Sequence, residues 1–188
     1  EPVEHRRFIG RLSEGSHRLR LEMHRDLSAP GARDILVDAI QTGSVGDADP
    51  LAPVWRHAPV LHYRALTTAL DSLTTDAPLL LFYRTTAGGT STSIEYHAVF
   101  SHEDAGTDLT GLLARWGHSV DIEWVFRVTC DSAGRAISEE FQGSGHVAAR
   151  FRGGRAMGGH PVLQVATMNG TVTDRPACPY RTALAPAC

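Results

Sequence analysis

The sequence predicts a mainly β protein, an antiparallel β-sandwich with one or two short helices. Three observations predict it. Apolar and polar residues alternate with period two in many short stretches. Gly, Pro, Asn and Asp gather between those stretches. Helical spacing of apolar residues appears in no more than two places. There is no βαβ rhythm, internal repeat, coiled-coil heptad or phosphate-loop glycine signature. The glycines of "FRGGRAMGGH" lack the strand-to-helix setting of a phosphate loop and read as turn residues.

Taken in order, "HRLRLEMH" (His17–His24) places Leu19, Leu21 and Met23 on one face of a half-buried strand, and "DILVDAI" (Asp34–Ile40) follows a Pro-Gly turn. The loop "QTGSVGDADPLAP" (Gln41–Pro53) comes next. The chain reads as one domain over residues 1–188, and this loop offers a boundary that would set off a strand subdomain over residues 1–52. "PVLHYR" (Pro59–Arg64) and "APLLLFYR" (Ala77–Arg84) are apolar enough for central strands. "SIEYHAVFS" (Ser93–Ser101) alternates, with Ile94, Tyr96, Ala98 and Phe100 on one side and Glu95, His97 and Val99 on the other.

"TDLTGLLARWG" is the clearest helix. Thr107 or Asp108 caps it, Leu109, Leu112, Leu113 and Trp116 form its stripe, and Gly117 stops it. "ALTTALDSL" (Ala65–Leu73) has weaker helical period. Strands then resume over Val120–Thr129, Ala136–Gln142, His146–Phe151 and Pro161–Thr167, with a "CDSAGR" turn after the first and an Asn-Gly hairpin turn in "MNGT" (Met168–Thr171).

Charge is mixed and slightly acidic, with a net of −3. That argues against disorder and against nucleic-acid binding driven by phosphate neutralisation. No apolar run approaches the ~20 residues of a transmembrane helix. Every basic residue is arginine and none is lysine, most simply a codon effect of a GC-rich, bacterial genome. The first residue is Glu1, with no signal-peptide core, as expected of a mature, processed form. Cys178 and Cys188 bracket "CPYRTALAPAC", which predicts a small disulfide loop, with Cys130 left over; secretion is the expected location.

Ten histidines are the compositional anomaly. In "HSVDIEWVFRVT" the even positions Val120, Ile122, Trp124, Phe126 and Val128 predict a core face, with Asp121 and Glu123 on the other. Residues i and i+2 of a strand lie about 7 Å apart on one side. Two carboxylates so placed repel unless an arginine, a shared proton or a cation lies between them, and Arg127 can reach only Glu123 comfortably. A solvent-facing pair is the plain alternative. His118 enters from the helix stop. Upstream, "SHEDAGTD" displays His102, Glu103 and Asp104 in a loop, with Asp108 as the cap. His102, Asp104, His118, Asp121 and Glu123 would together suit Ca²⁺, Mg²⁺, Mn²⁺ or Zn²⁺, though no HExxH, EF-hand or paired CxxC pattern is present. His146 and His160 start strands and could act as general acid or base. Ser144 precedes His146 by two residues outside any nucleophile-elbow pattern.

"GHSVDIE" resembles the Gly-His-Arg-His-Asp-Trp-Glu heptad of the necrosis- and ethylene-inducing peptide-like cytolysins. Gly117, His118, Asp121 and Glu123 match; Val120 stands at the second His, Ile122 at the Trp, and Trp124 is displaced by two. The resemblance implies a secreted β-sandwich whose heptad helps hold a divalent cation beside a membrane-glycolipid site. From Ala58 to Thr167 a looser likeness runs to vacuolar-sorting-associated proteins with an Asp-Trp-Glu motif, carried by "HAPVLHYR" and "GHPVLQVAT".

Three functions follow. One is a secreted hydrolase of an ester or glycosidic bond in an extracellular lipid or glycan. In it His102 or His146 is the base, and His118, Asp121 and Glu123 bind a metal or orient that base. The second is a cation-dependent, cytolysin-like protein that contacts lipid headgroups or glycans at a membrane surface without catalysis. A structural β-sandwich is the third.

Overall fold

The computed structural model describes residues 46, 48–64, 78–103, 107–156, 158–177, 181–182 and 186–187. The architecture is mainly β, with two sheets and two short α-helices among the described residues. The strand expected at His17–His24, the segment Asp34–Ile40, the helix expected at Ala65–Leu73, and Cys178 and Cys188 with their expected disulfide lie outside the described residues.

Helix α1 (Ala52–His57) begins inside the stretch Gln41–Pro53 that the sequence reads as loop. Pro53 stands in its first turn, where a missing N–H costs nothing, so a residue that signals a turn here starts a helix. Strand β1 (Val60–His62) follows. The long hairpin β2 (Pro78–Gly88) and β3 (Ser91–Phe100) leads to α2 (Leu109–Trp116), β4 (Asp121–Asp131), β5 (Ala136–Gly143), a 3₁₀ turn at Ser144–His146 and β6 (Val147–Arg150). The chain closes with β7 (Arg155–Ala156), β8 (His160–Val165), β9 (Val172–Thr173), β10 (Arg181–Thr182) and β11 (Pro186–Ala187).

One sheet has six strands in the order β11-β2-β3-β4-β5-β6. The other runs β10-β1-β8-β7, with β9 also on β8. Most pairs are antiparallel, but β1–β8 and β11–β2 are parallel. These two joins are non-local, and alternation within one strand cannot report them. Between the sheets lie Leu81, Ile94, Tyr96, Ala98, Phe100, Phe126, Val128 and Phe141 from one side and Leu61, Leu163, Val165 and Val172 from the other.

Helix α2 is capped as its sequence dictates: the Asp108 side chain accepts from the Gly111 N–H at 2.7 Å, and Gly117 (φ 78°) ends it with its N–H on the Leu113 carbonyl. The expected stripe is narrower than predicted, because Leu112 is fully buried while Leu113 and Trp116 are half exposed. Three contacts dock the α1 segment. Tyr96 donates its hydroxyl to the Val54 carbonyl at 2.6 Å, His57 Nε2–H donates to the Gly134 carbonyl at 3.0 Å, and His160 Nδ1–H donates to the Ala58 carbonyl at 2.8 Å. Burial lowers the pKa of both histidines, which suits neutral rings that clamp the fold.

Candidate functional site

The position of Asp121 and Glu123 is decided by one residue of β4. Tyr96 pairs with Phe126 and His97 with Trp124, so Val125 is an extra residue, a β-bulge. Beyond it, Phe126, Val128 and Cys130 point into the core, as even-numbered alternation predicts. Before it the parity is inverted. Asp121 pairs with buried Phe100 and Glu123 with buried Ala98, while Ile122 is 56% exposed. The continuous even-numbered core face expected from sequence therefore stops at the bulge. The carboxylates sit on the inner side, and Ile122 and Trp124 on the outer.

Asp121 is 5% exposed. Its Oδ2 has no hydrogen-bond partner among the described residues. Burial pushes its carboxyl up first, the charges of Glu123 and Glu103 push it further, and the Ile122 N–H and His146 pull back; the result is a pKa of about 7. The β8–β9 hairpin closes over it. Gly170 has φ 63°, and a Cβ there would stand 2.6 Å from Asp121 Oδ2 and 2.8 Å from the Phe100 ring. The Asn-Gly turn read from sequence thus also brings backbone onto a carboxylate.

The loop after β3 meets the turn before β4, where the Glu103 N–H donates to the Ser119 carbonyl at 2.9 Å. There His118 Nδ1 lies 2.8 Å from the Val120 carbonyl and 3.5 Å from Glu103 Oε2. A carbonyl only accepts, so Nδ1 carries the proton and Nε2 keeps its lone pair. On the other flank, the Gln142 amide donates to Glu123 Oε2 at 2.5 Å and to His146 Nδ1 at 2.7 Å, and the same ring nitrogen lies 3.3 Å from Glu123 Oε1. His146 has φ 60°, a left-handed conformation that costs a non-glycine residue about 1–2 kcal/mol. The 3₁₀ turn at Ser144–His146 holds it there.

Asp121, Glu123, His118, Glu103, Gln142 and His146 therefore form one polar neighbourhood where β4 begins. His102 adjoins Glu103 and is half buried, and Asp104 lies outside the described residues. His160 stands apart, committed to Ala58. Neither Ser144 nor His146 hydrogen bonds the other among the described residues. Gln142, a strand glutamine four residues before a histidine, carries no sequence signal for this role, and Asn169–Gly170 signals only a turn. Among the described residues, no three His, Cys, Asp or Glu side chains already meet at ligand distance around one point.

No protein-family model matches the chain, and no curated protein does. Among solved structures it is similar to NLPPya in complex with mannosamine, at 12% identity over 79% of each chain with a TM-score of 0.46. NLPPya in complex with glucosamine gives 14% identity over 79% of each chain and a TM-score of 0.44. A structure described as "Toxin fold for microbial attack and plant defense" gives 13%, 76% of each chain and 0.46. These neighbours are necrosis- and ethylene-inducing peptide-like toxins, the group that the heptad resembles. Identities this low transfer no residue role and no activity to this chain.

Proposed function

We propose that this chain is a secreted, cation-dependent binding protein for glycan or lipid headgroups, cytolysin-like in its mode of contact and without catalysis. One observation carries the reading: Asp121 Oδ2 is buried, bare of donors among the described residues, and close enough to Glu103 and Glu123 for their charges to raise its pKa. A divalent cation there would relieve both the missing donor and the repulsion. Asp121 and Glu123 would supply oxygens and His118 its Nε2; Asp104, the further carboxylate expected from sequence, lies outside the described residues. The Nδ1–H of His118 on the Val120 carbonyl is the orientation that ligating histidines adopt. Ca²⁺, Mg²⁺, Mn²⁺ and Zn²⁺ all accept such mixed oxygen and nitrogen donors, and a bound ion would offer open positions to sugar hydroxyls or a phosphate.

A hydrolase needs more than this. His146, its candidate base, turns Nδ1 to Gln142 and Glu123, contacts that orient a ring. The test is thermal melting with EDTA or with each of the four ions, followed by flotation with glycolipid-bearing and plain liposomes. One ion raises the melting temperature by several degrees, Asp121→Asn abolishes the rise, and liposome binding needs both ion and glycan. Equal melting with and without every ion, or turnover of an ester or glycoside panel that survives Asp121→Asn, overturns the reading.

A further inference from the structure

The outer face of the six-stranded sheet, on the far side from Asp121, is ordered in rows across the strands. Because paired residues share a face, the register assigns each row. Leu80, Val99 and Ile122 form an apolar row, with Leu80 44% and Ile122 56% exposed. Phe82, His97 and Trp124 form an aromatic row, in which the Phe82 and His97 rings stack at 4.9 Å. Arg84, Glu95, Arg127, Glu140 and Arg150 form an ionic row whose charge alternates along its whole length. Thr86, Ser93, Thr129 and Ser138 form a hydroxyl row.

We propose that this face is a dimer interface whose occupant is a second copy of the chain, related by a two-fold axis that runs along the strands between β3 and β4. Charge complementarity selects that partner. An axis along the strands lays each row on its own counterpart, apolar on apolar and ionic on ionic. An alternating row becomes complementary to itself when the axis falls between two of its members. With the axis between β3 and β4, exposed Arg84 opposes the second copy's glutamate at position 140, and Glu95, buried and already held by Arg84 and Arg127, lies opposite its arginine at position 127. The same line is the midline of the six-strand order and the centre of the hydroxyl row.

Area agrees. Strands about 4.8 Å apart and rows about 7 Å apart give roughly 600–800 Å² per copy, the size of a specific interface. Two antiparallel sheets pack face to face with strand directions within about 30°, which keeps the rows in register. The carboxylate site lies on the other side of β4, so the dimer stands or falls independently of the cation reading.

Sedimentation equilibrium over about 1–200 µM tests it, a range suited to the modest area. The wild-type chain is expected to dimerise. Arg84→Glu alone sets like charges opposite each other twice across the axis, as does Glu140→Arg alone, and each is expected to weaken dimerisation about tenfold or more. An equimolar mixture of the two variants makes every opposed pair complementary again and is expected to recover near wild-type association. A chain that stays monomeric throughout, or a mixture with no more dimer than its separate components, overturns the proposal. If either variant loses its melting transition, Thr129→Arg decides: it leaves the ionic row intact and fills the gap between sheets. A monomer is then expected, and a dimer of wild-type strength overturns the interface.

Discussion

Glu95 and Asp121 belong to neighbouring strands, are 7% and 5% exposed, and have carboxyl pKa values shifted in opposite directions. Burial pushes the Glu95 carboxyl up, but hydrogen bonds and charge from Arg127, then Arg84 and His97, outweigh it and hold its pKa below the ordinary range. Arg84 reaches Oε1 at 2.7 Å, His97 reaches Oε1 at 3.0 Å, and Arg127 grips Oε2 through Nε at 2.8 Å and through Nη2. Arg127 also lies over the Trp124 ring, 4.7 Å from its centroid. Asp121, at similar burial, has two acidic neighbours and an oxygen without a hydrogen-bond partner among the described residues. Burial of charge is thus not informative alone; what surrounds it separates a carboxylate held by cations from one set among other acids.

The comparison breaks most severely at Gly170. Gly170→Val forces a branched side chain into a left-handed conformation and against Asp121 and Phe100, and should cost about 3 kcal/mol or more in urea unfolding. Survival at wild-type stability would mean that the hairpin does not press on the carboxylate. Next is Glu95→Gln, expected to cost about 2 kcal/mol, because two arginines lose the negative charge and one of the two acceptor oxygens they share, while the exposure of Arg84 softens the loss.

Asp121→Asn should have the opposite sign. A carboxyl raised from 3.8 to about 7 binds its proton more tightly folded than unfolded. The folded state is therefore favoured at low pH, and stability drains away as pH rises from about 4 to about 7, on the order of a few kcal/mol. In EDTA, melting against pH should show that slope in the wild-type chain, a flatter one in Asp121→Asn, and a flatter one again when the stabilising cation is added. Glu95 slopes the other way: its contribution is complete above its unfolded pKa and lost as pH falls through the lower folded value. Asp108→Ala, which touches neither carboxylate, should cost about 1 kcal/mol from the lost cap, and an effect on cation response there would blur the contrast.

The features legible in sequence are those settled by local chemistry. Asp108 and Gly117 mark the ends of α2 because caps act within one turn, and Asn169–Gly170 marks a hairpin because few residues accept its backbone. Strand alternation gives the mainly β class. What stayed hidden depends on partners. The bulge at Val125 exists only relative to β3, so the face of Asp121 could not be read from β4 alone. The parallel joins of β1 and β11 need the far end of the chain, and Gln142 becomes a bridge only once β4 and the 3₁₀ turn flank it.

The extra residue at Val125 also separates a motif from the site it denotes. The spacing of Gly117, His118, Asp121 and Glu123 is the same whether or not β4 bulges at Val125, so a pattern search scores both arrangements alike. Paired with β3 residue for residue through Val125, the same letters would put Ile122 and Trp124 inside and both carboxylates in water. The face that the carboxylates take is therefore a property of how one valine outside the motif is paired, and every letter of the motif stays in place either way.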